Sequence, residues 1–138
     1  MFFFFISNRG RRGLSSLRCD ETLRTVSALH TYDYTDSAAQ YGHQSFVDQN
    51  CNGHGWYQPK FMLDCGSTCG CTQWLIENYG SNLFNTGEIS AWHSNRMTSS
   101  RAVKQWENSD GHREQMESRS NRYIGCDMFG KFGNCLFA

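Results

Sequence analysis

The run Ala102–Cys126, AVKQWENSDGHREQMESRSNRYIGC, constrains the fold of this chain more than any other stretch. Ala102, Val103 and Trp106 fall on one stripe of a helix over residues 101–107. Asn108-Ser109-Asp110-Gly111 then interrupts the periodicity with tight-turn chemistry. His112 follows the glycine at the start of a second helical segment, residues 112–118, and Met116 stands one turn further on. Ile124-Gly125-Cys126 then opens a strand. Helix, turn, helix and strand thus follow one another closely. The succession sets a histidine at a helix start, beside a closely packed glycine turn and downstream of a buried-type tryptophan. That is an address for a site histidine.

Cysteine usage limits the compartment. Seven Cys in 138 residues is the density of small extracellular domains, and it points to disulfides in an oxidising environment. The odd number leaves at least one thiol free or joined to another chain. Cys51, Cys65, Cys69 and Cys71 can be read as zinc thiolates or as disulfide halves. Their C-x3-C-x-C spacing departs from the paired C-x2-C of zinc ribbons, which favours disulfides, with three connectivities open. Cys126 and Cys135 flank a turn and can pair across it, while Cys19 has no evident partner.

A chain of 138 residues is read as one domain over residues 12–138, preceded by a tail or signal remnant over 1–11. Phe2–Ile6 is apolar but only five residues long, too short to span a bilayer, and it lacks a cleavage pattern. An apolar N-terminal strand is the other reading of it. No other stretch approaches membrane length. Thirteen basic and thirteen acidic residues cancel, so nothing marks the chain for nucleic acid, and the basic cluster Arg9-Arg11-Arg12 is short.

Asp20 is placed to cap a helix in which Leu23, Val26, His30 and Tyr34 recur at helical spacing to about Ala39, with Gly42 ending it. Residues 43–72 are rich in Gly, Asn and Cys and need cross-links to hold them. Residues 72–79 form a short helical turn, Gly87–His93 a strand, and 94–100 a loop. Strands at Arg122–Phe129 and Cys135–Phe137 flank hairpin-turn chemistry at Gly130–Asn134. Helices early and late around a small antiparallel sheet make this α+β, or a three-layer arrangement, rather than alternating βαβ.

His54, between two glycines and beside Cys51 and Trp56, and His112 are the leading site histidines; Glu88, where a strand begins, is the leading acid. Two histidines and a carboxylate suffice for a zinc or copper site or for an acid–base pair. Spacing alone does not force the three together. An exposed loop histidine and a helix-start cap are the plainer readings of His54 and His112. His30 reads as a buried histidine hydrogen-bonded to backbone, His43 as a rival to His54, and His93 as surface. The serine-nucleophile, Walker, G-x-G-x-x-G and H-E-x-x-H motifs are absent from the sequence.

In order along the chain, several pieces resemble the CAP superfamily, the SCP-like domain of cysteine-rich secretory, venom-allergen and pathogenesis-related proteins. Trp106-x-x-Ser109-x-Gly111-His112-Arg113 followed by Ile124-Gly125-Cys126 is similar to its W-x-x-S-x-G-H-R … I-G-x-G segment. Thr86-Gly87-Glu88-Ile89 looks like G-E-N-I, and Ala28-x-His30-x-x-Asp33 like A-x-x-H-x-x-D. Gly13-Leu14 through Leu17 and Leu23 is similar to its N-terminal leucine pattern, and Cys51–Trp56 to C-N-x-H-S-W. The resemblance covers about residues 12–129. It implies an α-β-α sandwich with a central antiparallel sheet, and a cleft of two His and two acidic residues that binds a divalent metal in some members. His54, Glu88 and His112 match three of those four; the fourth, an acid in animal and plant members, falls on Ser109 here. The expectation is a secreted, disulfide-stabilised binding module. Its cleft is His54, Glu88, His112 and Ser109, and it takes Zn²⁺ on His54 and His112, with Glu88 as a further ligand. Its partner is an extracellular lipid or sterol, a cell-wall component or a protein surface. The alternatives are a metal-assisted hydrolase or peptidase using Glu88 as general base, and a structural extracellular domain whose site has decayed.

Overall fold

A computed structural model describes residues 9–41, 54–56 and 70–138. After a two-residue strand, β1 (Arg18–Cys19), the Asp20 carboxylate accepts the Leu23 backbone N–H at 2.9 Å and starts α1 (Glu21–Tyr41). The apolar stripe expected of this helix is buried at Leu23, Val26, His30 and Tyr34, together with the polar Ser27, Thr31 and Asp33. The elements that follow are α2 (Cys71–Asn78), β2 (Gly87–Trp92), α3 (Ser99–Glu107), α4 (Asp110–Glu117), β3 (Tyr123–Phe129) and β4 (Phe132–Phe137).

The strands form one sheet in the order β1-β3-β4-β2. β3–β4 and β4–β2 are antiparallel, but β1 joins β3 in parallel, so the sheet is mixed rather than wholly antiparallel. β1 is too short to leave a period-two signal. It is held by Arg18 N–H to Arg122 O at 2.9 Å and Asp20 N–H to Ile124 O at 3.0 Å.

Strand alternation sends side chains to two cores. Ile89, Ala91, Ile124, Cys135 and Phe137 pack with Met97, Ala102, Val103, Trp106 and Met116 from the α3–α4 side. Leu136 packs on the opposite face with Leu23 and Val26 of α1, Leu75 and Ile76 of α2, and Trp56. Helices therefore cover both faces, and β4 is buried at every position. The α+β class expected from the sequence is the class observed.

Two turns differ from expectation. The β3–β4 connection is Gly130-Lys131 alone, and β4 begins at Phe132, not Cys135. Gly130 has φ +57°, and a side chain there would meet Thr35 Cγ2 at 2.8 Å. Gly133 and Asn134 have turn composition but occupy the central strand, where Met97, Met128 and a polar network surround them. In the helical pair, α4 begins at Asp110, whose charge suits the positive end of a helix, and Ser109 is its N-cap. Gly111 therefore lies inside α4 with open space around it, and the closely packed glycine turn expected beside His112 is not there. Gly125 does permit close packing of backbone on backbone, where α1 crosses β3.

Cys126 and Cys135 are register partners on β3 and β4 and form the disulfide expected across the hairpin, with Cα atoms 4.1 Å apart. Cys19 is free and exposed, and Cys71 is disulfide-bonded. Phe2–Ile6, Gly42, His43, Cys51, Cys65 and Cys69 lie outside the described residues. No helix among the described residues is long and apolar enough to cross a membrane.

Candidate functional site

Glu88 is the second residue of β2, and strand alternation turns it away from the Ile89 core toward α1. There its Oε1 lies 2.9 Å from His30 Nδ1 and 3.5 Å from His54 Nδ1. Asn134 on the neighbouring strand donates from Nδ2 to the same oxygen at 2.6 Å, and Ser90 Oγ lies 3.5 Å away.

His30 is clamped on every side. Its ring stacks on Trp56 with centroids 4.6 Å apart and meets Phe132 edge-on at 5.7 Å. Trp56 is itself buried and donates from Nε1 to Thr72 Oγ1 at 3.1 Å, tying this segment to α2. His30 Nε2 lies 2.9 Å from Gly55 O, an acceptor, so Nε2 carries a proton. Nδ1 faces an ionised carboxylate, also an acceptor, so it carries one too. His30 is thus an imidazolium and forms a buried ion pair with Glu88. The Nδ1 contact is one of charge rather than an aligned hydrogen bond.

The same contacts set the direction in which both groups are shifted. Burial alone would push the Glu88 carboxyl up, but the positive charge of His30, helped by His54, pulls it down to about 2. Burial alone would lower His30, and Glu88, the Gly55 carbonyl and Asp33 together raise it above the ordinary histidine value.

His54 is the open side of the cluster, with 35% of its side chain exposed. His112, the third residue of α4, is half-buried; burial first, then the nearby His54, lower its pKa. Two of the residues expected in the cleft, His54 and Glu88, are therefore in contact, and His112 is close enough to His54 to interact with it electrostatically. Ser109 stands at the N-cap of α4, where its side chain makes no capping bond. His30 was expected to bond to backbone and does so; its carboxylate partner was not foreseen. Asn134 was hidden inside residues read as a turn.

The geometry limits the chemistry. Among the described residues, no group of three His, Cys, Asp or Glu side chains is disposed to hold a metal ion. One oxygen of Glu88, Oε1, already serves His30 and Asn134. His54 lies on the open side, and the lowered pKa of the nearby His112 favours a neutral, ligating ring near pH 7. A carboxylate that stays ionised down to about pH 2 is a weak proton acceptor, poorly matched to general-base work near neutrality.

Residues 7–131 match the family model of the cysteine-rich secretory protein family, CAP. Among solved structures, the chain superposes on an extracellular SCP-domain protein from Bacillus anthracis with TM-score 0.70 and 21% identity. A cysteine-rich secretory protein from Staphylococcus aureus gives TM-score 0.65 and 12% identity. An outer surface protein from Borrelia burgdorferi gives 0.60 and 20%. Each alignment covers 99% of this chain, which spans 38%, 36% and 86% of those three proteins respectively. At these identities the likeness is one of fold. No curated protein sequence matches the chain.

Proposed function

The chain belongs to the cysteine-rich secretory protein (CAP) family, and we propose that it works as an extracellular binding module rather than as an enzyme. The observation that carries this reading is the locked state of Glu88. Its charge is cancelled by His30 and its oxygen is shared with Asn134, so the acid builds the cleft floor instead of reacting. The half-exposed His54 and the neighbouring His112 are then the groups a ligand meets. A lipid or sterol, a cell-wall component or a protein surface is the class of partner proposed. The extracellular and outer-surface relatives support that setting.

The same two imidazoles are proposed to take Zn²⁺ weakly, since two protein ligands fall short of the three or four of established zinc sites. Isothermal titration of the disulfide-formed protein with zinc chloride near pH 7.5 tests this. We expect binding that weakens by about tenfold or more in His54→Ala and in His112→Ala. Binding unchanged in both variants would remove these residues from the site. For the enzyme alternative, turnover of a peptide panel that disappears in Glu88→Gln would overturn the binding-module reading.

A further inference from the structure

The basic cluster Arg9-Arg11-Arg12 has no part in the His30–Glu88 site, yet its first member is among the most buried side chains described. Arg9 is 2% exposed, and a guanidinium does not shed its charge at accessible pH. Nε donates to Ser15 O at 2.8 Å, and Nη1 donates to Met116 O at 2.9 Å and Ser118 O at 3.0 Å. These carbonyls, two of them at the C-terminal end of α4, hold the head group in place. They take up the Nε and Nη1 donors without cancelling its charge.

A pocket of about 220 Å³ opens beside it, lined by Arg9, Gly13, Leu14, Ser15, Arg119 and Arg122. Three guanidinium side chains thus border one small space. Arg122 is close enough that, after burial, its charge is the next cause lowering the pKa of Arg9. Nearby arginines are neutralised: Arg12 pairs with Glu117 at 2.9 Å, and Arg113 pairs with Asp110. Among the described residues, no carboxylate lies within ion-pair distance of Arg9, Arg119 or Arg122. One buried guanidinium, two exposed ones, of which Arg122 is steadied by the Arg119 and Asn121 carbonyls, and a positive charge without a carboxylate partner are the elements of an oxyanion receptor, because the planar fork of Arg matches paired oxygens.

We propose that the pocket between residues 9–15 and 119–122 binds a phosphate- or sulfate-type oxyanion, either free or as the head group of a larger molecule. The site lies apart from the histidine cleft and does not depend on it.

Inorganic phosphate and sulfate, titrated calorimetrically into the full chain against chloride at matched ionic strength, test the proposal. Saturable binding is expected. Replacing the exposed pair, Arg119→Ser with Arg122→Ser, should weaken it about tenfold or more, since each charged hydrogen bond carries that order of effect. Arg24→Ser, on the exposed side of α1, should leave it unchanged. The double variant spares the buried Arg9, so unfolding does not confound the result. Co-sedimentation with phosphatidylcholine vesicles containing phosphatidic acid, and not with phosphatidylcholine alone, would assign the anion to a lipid head group. Phosphate binding without co-sedimentation would assign it to a soluble ligand. No saturable heat with either anion beyond chloride, or undiminished affinity in the double variant, would overturn the proposal.

Discussion

At the scale of single residues, the buried His30–Glu88 pair dominates. Its members depend on each other: neither charge has water to fall back on, and Asn134 and Gly55 supply only dipoles. Removing one partner of such a pair costs roughly 3–5 kcal/mol, because the survivor stays buried and unpaired. Glu88→Gln should fall near the low end of that range, about 3 kcal/mol, since His30 can release a proton and become neutral. Urea unfolding near pH 6 would measure this; a loss below about 0.5 kcal/mol, the ordinary surface effect, would mean that the pair does not stabilise the fold. These residues were unevenly legible in the sequence. Helical spacing put His30 on the buried face of its helix, and a buried imidazole must find partners. Nothing in the spacing said that the partner was Glu88, which lies on a strand far along the chain. Asn134 was invisible for a different reason: Gly-Asn composition is common to turns and to a central strand that carries a polar network.

At the scale of elements, two glycines show how one residue type can serve opposite ends. A side chain at Gly125 would place its Cβ 2.1 Å from Arg24 N and 2.2 Å from Leu23 C. Both are backbone atoms of α1, so the whole helix would have to lift. Gly125→Ala should therefore cost about 3 kcal/mol, the upper part of the overpacking range. Gly111→Ala should do the reverse. It lies inside α4 with nothing within 4 Å of the added carbon, and an alanine in a helix gains up to about 1 kcal/mol over glycine. Thermal midpoints of the two variants moving in opposite directions would bear this out; a neutral Gly125→Ala would contradict the close crossing of α1 over β3. The existence of the longer helices and strands was readable from periodicity and turn chemistry, whereas the two-residue β1 was not. The ends of β4 and α4 were not, because each depends on what packs beside a glycine rather than on the glycine itself.

At the scale of the whole molecule, the ion pair sets a pH window for stability. His30 has a raised pKa when folded, so its contribution is complete below the ordinary value of 6.5 and is lost as pH rises through the raised value. Glu88 is depressed to about 2 from 4.5, so its contribution is present above 4.5 and is lost as pH falls toward 2. His112, lowered and half-buried, works the other way and costs a smaller amount below 6.5. Urea midpoints should therefore decline on both sides of a mildly acidic plateau, and Glu88→Gln should flatten the alkaline decline. A wild-type midpoint that stays constant on the alkaline side would rule the His30 contribution out. The strand order also sets a timetable. β4, residues Phe132–Phe137, lies between β3 and β2, so α1 and β2 are synthesised long before the strand that joins them exists. While a ribosome is still adding residues before 123, α1 has no sheet to cover. The nascent chain stays open until the β3–β4 hairpin emerges, and then closes around pairings distant in sequence. Any fragment that stops short of Phe132 therefore lacks the strand that joins β3 to β2.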